Sequence, residues 1–181
     1  MEVICIDYYF DSAMEKVTGQ AVSLWMLLAA IAGIVTFILY RCGKMKASTA
    51  IIIPILIFFF SFVLTITIIE RVPRRKLRYN LELFWTIKSI IAGKTYLIWE
   101  IFWNVVLFIP LGLMVSVLLK RPWLAVLIGV LMSVAIEVTQ LLTHRGLFEF
   151  DDIIYNSVGA VIGFLLYLLL KRIEQREERG G

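Results

Sequence analysis

The sequence has few of the side chains on which most soluble enzymes depend. Its 181 residues include a single histidine, His144, and two cysteines, Cys5 and Cys42. The cysteines flank the first apolar run, so they should lie on opposite sides of a membrane, and we expect neither a disulfide nor a zinc or redox site from them. A G-x-S-x-G elbow, a P-loop and a dinucleotide fingerprint are also missing. The sequence therefore gives no support for a serine hydrolase, a P-loop enzyme or a nicotinamide-dependent enzyme.

Apolar residues, in contrast, make up 61% of the chain, and its mean hydropathy is +0.89. Soluble domains contain about 45–50% apolar residues, so this composition predicts a polytopic membrane protein. We predict an all-α helical bundle of about five transmembrane helices, which forms a single integral membrane domain over residues 1–181. No secretory signal peptide is visible at the start. Five runs have the length of about 20 residues that a bilayer requires, namely 22–40, 50–69, 101–119, 122–143 and 153–170.

One long connection, residues 70–99, carries both basic and apolar side chains. It opens with ERVPRRKLR, and its later part, LELFWTIKSIIAGK, mixes large apolar residues with Glu82 and Lys88. The second part predicts a short amphipathic helix in the headgroup region, ended by Gly93, with an irregular loop as the alternative. Beside a membrane span the basic run favours anionic headgroups over nucleic acid, at about 1 kcal/mol for each basic residue. The predicted headgroup-binding residues are Arg71, Arg74, Arg75, Lys76 and Arg78.

The orientation depends on how this basic loop is counted. Over the whole chain, the Lys and Arg residues divide evenly between the two sides of the membrane. Without the loop, they favour an N-terminus outside and a C-terminus inside, because basic residues concentrate on the cytoplasmic side. We predict this orientation. The basic loop then lies outside, against the usual bias; the opposite orientation would make it an ordinary cytoplasmic anchor.

Polar residues follow a helical spacing in the fourth and fifth spans. Steps of four, three and four residues separate Ser133, Glu137, Gln140 and His144, and the same steps separate Asp152, Asn156, Gly159 and Gly163. Each set therefore lies on one helix face. Polar side chains are unfavourable in lipid, so we expect the two faces to meet in a polar cleft at one leaflet. The predicted cleft residues are Asn104, Glu137, Gln140, Arg145, Asp151, Asp152 and Asn156.

A purely structural interpretation of these residues stays open. The amides would then form interhelical hydrogen bonds, and Arg145 would pair with Asp151 or Asp152 in a short loop. Gly159 and Gly163 favour close helix packing. Glu137, Asp151 and Asp152 with His144 offer ligands for a hard cation, but no pair has a diagnostic spacing, so we predict no metal and no cofactor.

Four motifs in order resemble the VanZ-like membrane proteins: NLELF (80–84), NVVLFIPLG (104–112), SVAIEVTQ (133–140) and RGLFEFDDIIYNSVGAVIG (145–163). The resemblance covers about residues 78–170. Leu83 departs from it, because family members often have proline before the phenylalanine. The resemblance implies a bacterial cell-membrane protein linked to glycopeptide resistance, chiefly to teicoplanin, and brings no settled activity. The family's polar positions are the seven cleft residues named above.

Three functions are compatible with these expectations. The first is a protein that engages an anionic membrane lipid or a lipid-linked cell-wall component. The second is a membrane-embedded enzyme on such a substrate, with Glu137 or Asp152 as general base or metal ligand and Arg145 on a phosphate. The third is a structural scaffold for a membrane partner. The pattern identifies no catalytic residue and leaves the oligomeric state open.

Overall fold

The chain forms a bundle of α-helices, as the sequence predicts. The structure is a computed structural model, and it describes residues 19–69, 71 and 76–180. Cys5, Arg74 and Arg75 therefore lie outside the described residues. The helices are α1 (Gly19–Arg41), α2 (Ala47–Leu64), α3 (Trp85–Ile91), α4 (Leu97–Leu118), α5 (Leu124–Leu142) and α6 (Phe150–Gly180). All except α3 contain an apolar stretch long enough to cross a membrane.

The spanning helices differ from the predicted runs mainly at their ends. α4 begins at Leu97, so Glu100 lies in its first turn and not in the preceding loop. α6 begins at Phe150, which places Asp151 and Asp152 in its first turn, and it continues through the charged tail to Gly180. Carboxylates in a first turn are favourable because the N-terminus of a helix carries a partial positive charge.

α2 ends in a π-helical turn, Thr65–Ile69. The hydroxyl groups of Thr65 and Thr67 donate to the carbonyl groups of Ser61 and Val63, four residues earlier in each case. Such bonds compete with the backbone and widen the turn. The last carbonyl groups of this turn are then available to other helices.

The core lies where α2, α4 and α5 meet, at Val63, Phe108, Leu111 and Ile136. α4 packs most closely on α6, because glycine residues of α6 let the two backbones approach each other. A methyl group added at Gly159 would overlap the Val105 carbonyl group, and one added at Gly163 would overlap that of Ile109. The predicted close packing at these glycines is therefore present. α1 packs on α2, where the Trp25 indole N–H donates to Thr65 Oγ1 at 3.0 Å.

The connection before α4 folds onto the segment before α6. Two short strands, β1 (Tyr79–Asn80) and β2 (Phe148–Glu149), pair in parallel, which the sequence did not predict. α3 follows β1 and ends in a Schellman turn at Gly93, which has a φ of +100°. The predicted amphipathic helix is thus present over seven residues, with Thr86 buried and Ile87 and Ile91 exposed.

Candidate functional site

Three carboxylates meet at the end of the bundle where α4 and α6 begin. Glu100 comes from the first turn of α4, Glu149 from the end of β2 and Asp152 from the first turn of α6. One oxygen of each lies within 4.8 Å of one oxygen of the other two. We call these three residues the acidic site. Of the three, the sequence prediction included only Asp152.

Burial makes this cluster electrostatically unfavourable. Glu149 is only 5% exposed, and its Oε1 atom has no hydrogen-bond partner within the part of the chain that the structure describes. At an effective dielectric constant of about 20, two unit charges at this separation repel by about 3 kcal/mol. Three such pairs would offset most of the stability of a typical domain, which is about 5–15 kcal/mol. The fully ionised form of the site is therefore unfavourable.

The pKa of Glu149 reflects this environment. Burial, together with the nearby charges of Glu100, Glu137 and Asp151, raises the pKa of this carboxyl group to about 7. The indole N–H of Trp85 points to the carboxylate and opposes the shift in pKa, although the two groups do not reach hydrogen-bond geometry. Glu149 can thus gain or lose a proton near neutral pH.

Two predicted cleft residues hold the acidic site in place. Asn104, one turn after Glu100 on α4, donates its side-chain N–H to Asp152 Oδ1 at 2.6 Å. Glu137 is 1% exposed, and its Oε2 atom accepts the backbone N–H of Glu149 at 2.9 Å. The prediction that Glu137 faces the interior is therefore confirmed. Its hydrogen-bond partner is β2, and not the amide groups of Asn104 or Asn156.

Asp151 has a separate role. Its Oδ1 accepts the backbone N–H of Phe84 at 2.6 Å, and its Oδ2 accepts that of Thr86 at 2.9 Å. These donors lie at the start of α3, where helix N–H groups lack partners within the helix. Phe84 has a φ of 59°, a left-handed conformation that is unfavourable for a non-glycine residue. Asp151 thus caps α3 and stabilises the turn before it.

The remaining predicted cleft residues join helices. Asn156 of α6 donates to Ser133 Oγ of α5 at 2.8 Å. Gln140 donates to the carbonyl oxygen of Thr67 at 3.1 Å, and Arg145 Nη1 donates more weakly to that of Ile68 at 3.5 Å. The last two residues therefore satisfy carbonyl groups that the π-helical turn leaves available.

The predicted ion pair of Arg145 with Asp151 or Asp152 is wrong. Between residues that the structure describes, the one ion pair joins Lys88 to Glu82 on the surface. Both oxygens of Asp151 accept backbone N–H groups instead. α5 ends at a Schellman turn in which His144 has a φ of 59° and the Arg145 N–H donates to the Gln140 carbonyl group. Arg145 is thereby placed next to the end of α2.

Glu100 and Glu149 were not among the predicted cleft residues, although the order of the spans in the sequence places both at this end of the bundle. Glu100 lies four residues before Asn104, on the same helix face, and this spacing was available as a signal. No comparable signal marks Glu149, because its position depends on the pairing of β1 with β2. Arg71, which is exposed, interacts electrostatically with Glu100, Glu137 and Asp152. The basic segment therefore begins near the acidic site.

These helices and this site define an all-α, multi-pass membrane protein with a partly buried acidic site at one end of its bundle. Residues 46–171 match the model of the VanZ/LLP1 family. The match covers more than half of the chain, and the chain belongs to this family. It includes α2, which lies outside the motifs that carry the resemblance. No curated protein and no solved structure matches the chain.

Proposed function

We propose that the chain is a bacterial cell-membrane protein that binds the headgroup of an anionic lipid or of a lipid-linked cell-envelope component. In this proposal, binding contributes to resistance to glycopeptides, chiefly teicoplanin, in line with the resemblance of its motifs. The observation that carries the proposal is the position of the exposed Arg71, Lys76 and Arg78. They lie at the end of the bundle that also holds the acidic site.

An apolar groove supports a lipid as the ligand. It runs along α6 and begins next to Asp152. Its lining residues recur once per helical turn, so the groove follows the helix axis, which is also the direction of an acyl chain in a bilayer. The basic side chains at the same end of the bundle can then hold a phosphate. The groove is lined by Ile153, Ile154, Ser157, Val158, Val161 and Ile162.

The test compares two sets of three basic residues. Arg71, Lys76 and Arg78 are exposed at one end of the bundle, and Arg41, Lys44 and Lys46 are exposed at the other. In each variant, all three become Gln. At about 1 kcal/mol for each residue, the first variant should bind phosphatidylglycerol about 100-fold more weakly than the native protein. The second variant should bind as the native protein does.

Binding can be followed in dodecyl maltoside, with phosphatidylcholine as the neutral reference lipid. Equal losses of binding in the two variants would contradict a specific role for the segment from Arg71 to Arg78. In a teicoplanin-sensitive bacterial host, expression of the native chain should raise the teicoplanin concentration that inhibits growth. The first variant should not raise it, whereas the second variant should.

A membrane-embedded enzyme is the second candidate, because the acidic site brings three carboxylates together, and such a cluster can supply a general base. In the enzyme, Glu149→Gln should abolish release of phosphate or headgroup from a lipid-linked substrate while binding stays unchanged. The sequence hypothesis gave the base to Glu137 or Asp152 and the phosphate to Arg145. The contact of Arg145 with the end of α2 gives that role of Arg145 less support.

A scaffold without a ligand has less support than either candidate. In a purely structural corner, each buried polar group would find a partner within the protein. Here four buried side-chain atoms have none among the described residues, including Glu149 Oε1 and the hydroxyl group of Tyr155.

A further inference from the structure

We propose that Glu100, Glu149 and Asp152 together bind one hard divalent cation, such as Ca²⁺, Mg²⁺ or Mn²⁺. Each residue offers one carboxylate oxygen, and these oxygens lie within 4.8 Å of one another. Ligand oxygens bound at about 2.0–2.6 Å from one ion lie up to about 4–5 Å apart. The three oxygens can therefore coordinate one ion with small side-chain movements.

The environment of Glu149 provides a second, separate reason. This side chain is 5% exposed, and no described residue forms a hydrogen bond with its Oε1 atom. A buried carboxylate oxygen without a partner is rare in folded proteins, because the loss of hydration is then uncompensated. A cation between the three carboxylates would satisfy this atom.

Basic side chains do not satisfy the acidic site. No Lys or Arg among the described residues forms an ion pair with any of the three carboxylates. Arg71 influences Glu100 and Asp152 only at longer range.

Neighbouring residues keep two of the ligands in place. Asn104 occupies Asp152 Oδ1, which leaves Oδ2 for an ion. Glu137 accepts the backbone N–H of Glu149 and so fixes the end of β2. Such residues behind the ligands orient them for the metal. The proposal goes beyond lipid binding and is tested with the metal alone, so the two proposals can fail separately.

The experiment uses the full chain in dodecyl maltoside after treatment with EDTA. Titration with Mn²⁺, followed by electron paramagnetic resonance of the free ion, should show one saturable site per chain. Glu149→Gln and Asp152→Asn should each weaken Mn²⁺ binding at least tenfold. Glu82→Gln on the surface, and Glu177→Gln with Glu178→Gln in the exposed tail, should leave binding unchanged. No saturable binding, or equal binding by all variants, would overturn the proposal.

Thermal unfolding separates loss of a ligand from loss of the fold. In EDTA, Glu149→Gln should melt at or above the temperature of the native chain, because it removes one of three mutually repelling carboxylates. Mn²⁺ should raise the melting temperature of the native chain and of Glu82→Gln, but not that of Glu149→Gln. If Glu149→Gln melts below the native chain in EDTA, the carboxylate itself supports the fold, and the proposal is overturned.

Discussion

Asp151 and Asp152 are neighbours in the sequence, yet their carboxylates serve different parts of the molecule. Asp151 accepts two backbone N–H groups at the start of α3, whereas Asp152 faces Glu100 and Glu149. The sequence pattern placed both in one cleft, because a first helical turn does not reveal which neighbour each side chain meets. The two roles differ only because the loop before α3 packs against Asp151 and donates its backbone N–H groups to that residue.

The capping role of Asp151 predicts a large effect of its removal. Asp151→Ala should lower the free energy of unfolding by about 2–4 kcal/mol, because it removes two hydrogen bonds to a charged group. It should also speed tryptic cleavage at Lys88, which lies in α3. Glu178→Ala, in the exposed tail of α6, is the control. Cleavage at the same rate in Asp151→Ala and the native chain would contradict the cap.

Glu137 allows charge and shape to be tested separately. Glu137→Gln keeps an oxygen that can accept the N–H of Glu149, so this variant should fold and insert as the native chain does. Glu137→Ala leaves this N–H without a partner and should lower the free energy of unfolding by about 1–3 kcal/mol. If the charge of Glu137 is needed for function, Glu137→Gln should lose teicoplanin protection at normal expression. Full protection would limit Glu137 to a structural role.

At the scale of helices and strands, the sequence was sufficient for most of the architecture. Apolar runs identified the five spanning helices, and Gly93 marked the end of α3. The acidic site could not be predicted in the same way. Glu100 meets Glu149 and Asp152 only because α4 packs directly on α6 and β1 pairs with β2. The glycine spacing in α6 indicates close packing but does not identify α4 as the partner, and the strand pairing leaves no local pattern. The position of Arg145 could not be predicted either, because Arg145 bonds to a carbonyl group of the π-helical turn at the end of α2.

The contact between α4 and α6 can be tested by a matched pair of substitutions. Gly159→Ala should destabilise the fold by about 1–3 kcal/mol, because the new methyl group overlaps the Val105 carbonyl group. At Gly33, in α1, the nearest atom to an added methyl group is Pro54 Cβ at 3.9 Å. Gly33→Ala should therefore be neutral or stabilising by up to about 1 kcal/mol. Melting temperatures in detergent measure both, and equal shifts would contradict close packing at Gly159.

At the scale of the whole molecule, the alternation of five spanning helices fixes which loops share a side. The connection from α2 to α4 and the turn from α5 to α6 lie at one end, with the acidic site, and the loop with Cys42 lies at the other. With the predicted orientation, the acidic site faces outward, where a cell-wall precursor or an antibiotic could reach it.

Cysteine labelling tests this orientation. In intact cells, an impermeant maleimide should label Cys5 and leave Cys42 unlabelled until the membrane is opened. Cys42 is exposed in the folded protein, so burial would not explain a failure of the maleimide to label it. The variants Cys5→Ser and Cys42→Ser each keep one of the two cysteines and so show which cysteine is labelled. Labelling of Cys42 alone in intact cells would reverse the orientation and place the acidic site in the cytoplasm.

The contact between Asp151 and Phe84 spans 67 residues of the chain, and translation decides when it can form. A ribosome adds about 5–20 residues per second, so α3 precedes its cap by about 3–13 seconds. Glu149 and Asp152 are also synthesised after α5, and a chain that stalls there inserts four helices with only one of the three carboxylates. Synthesis of the final helix is thus the step at which the nascent protein acquires its acidic site.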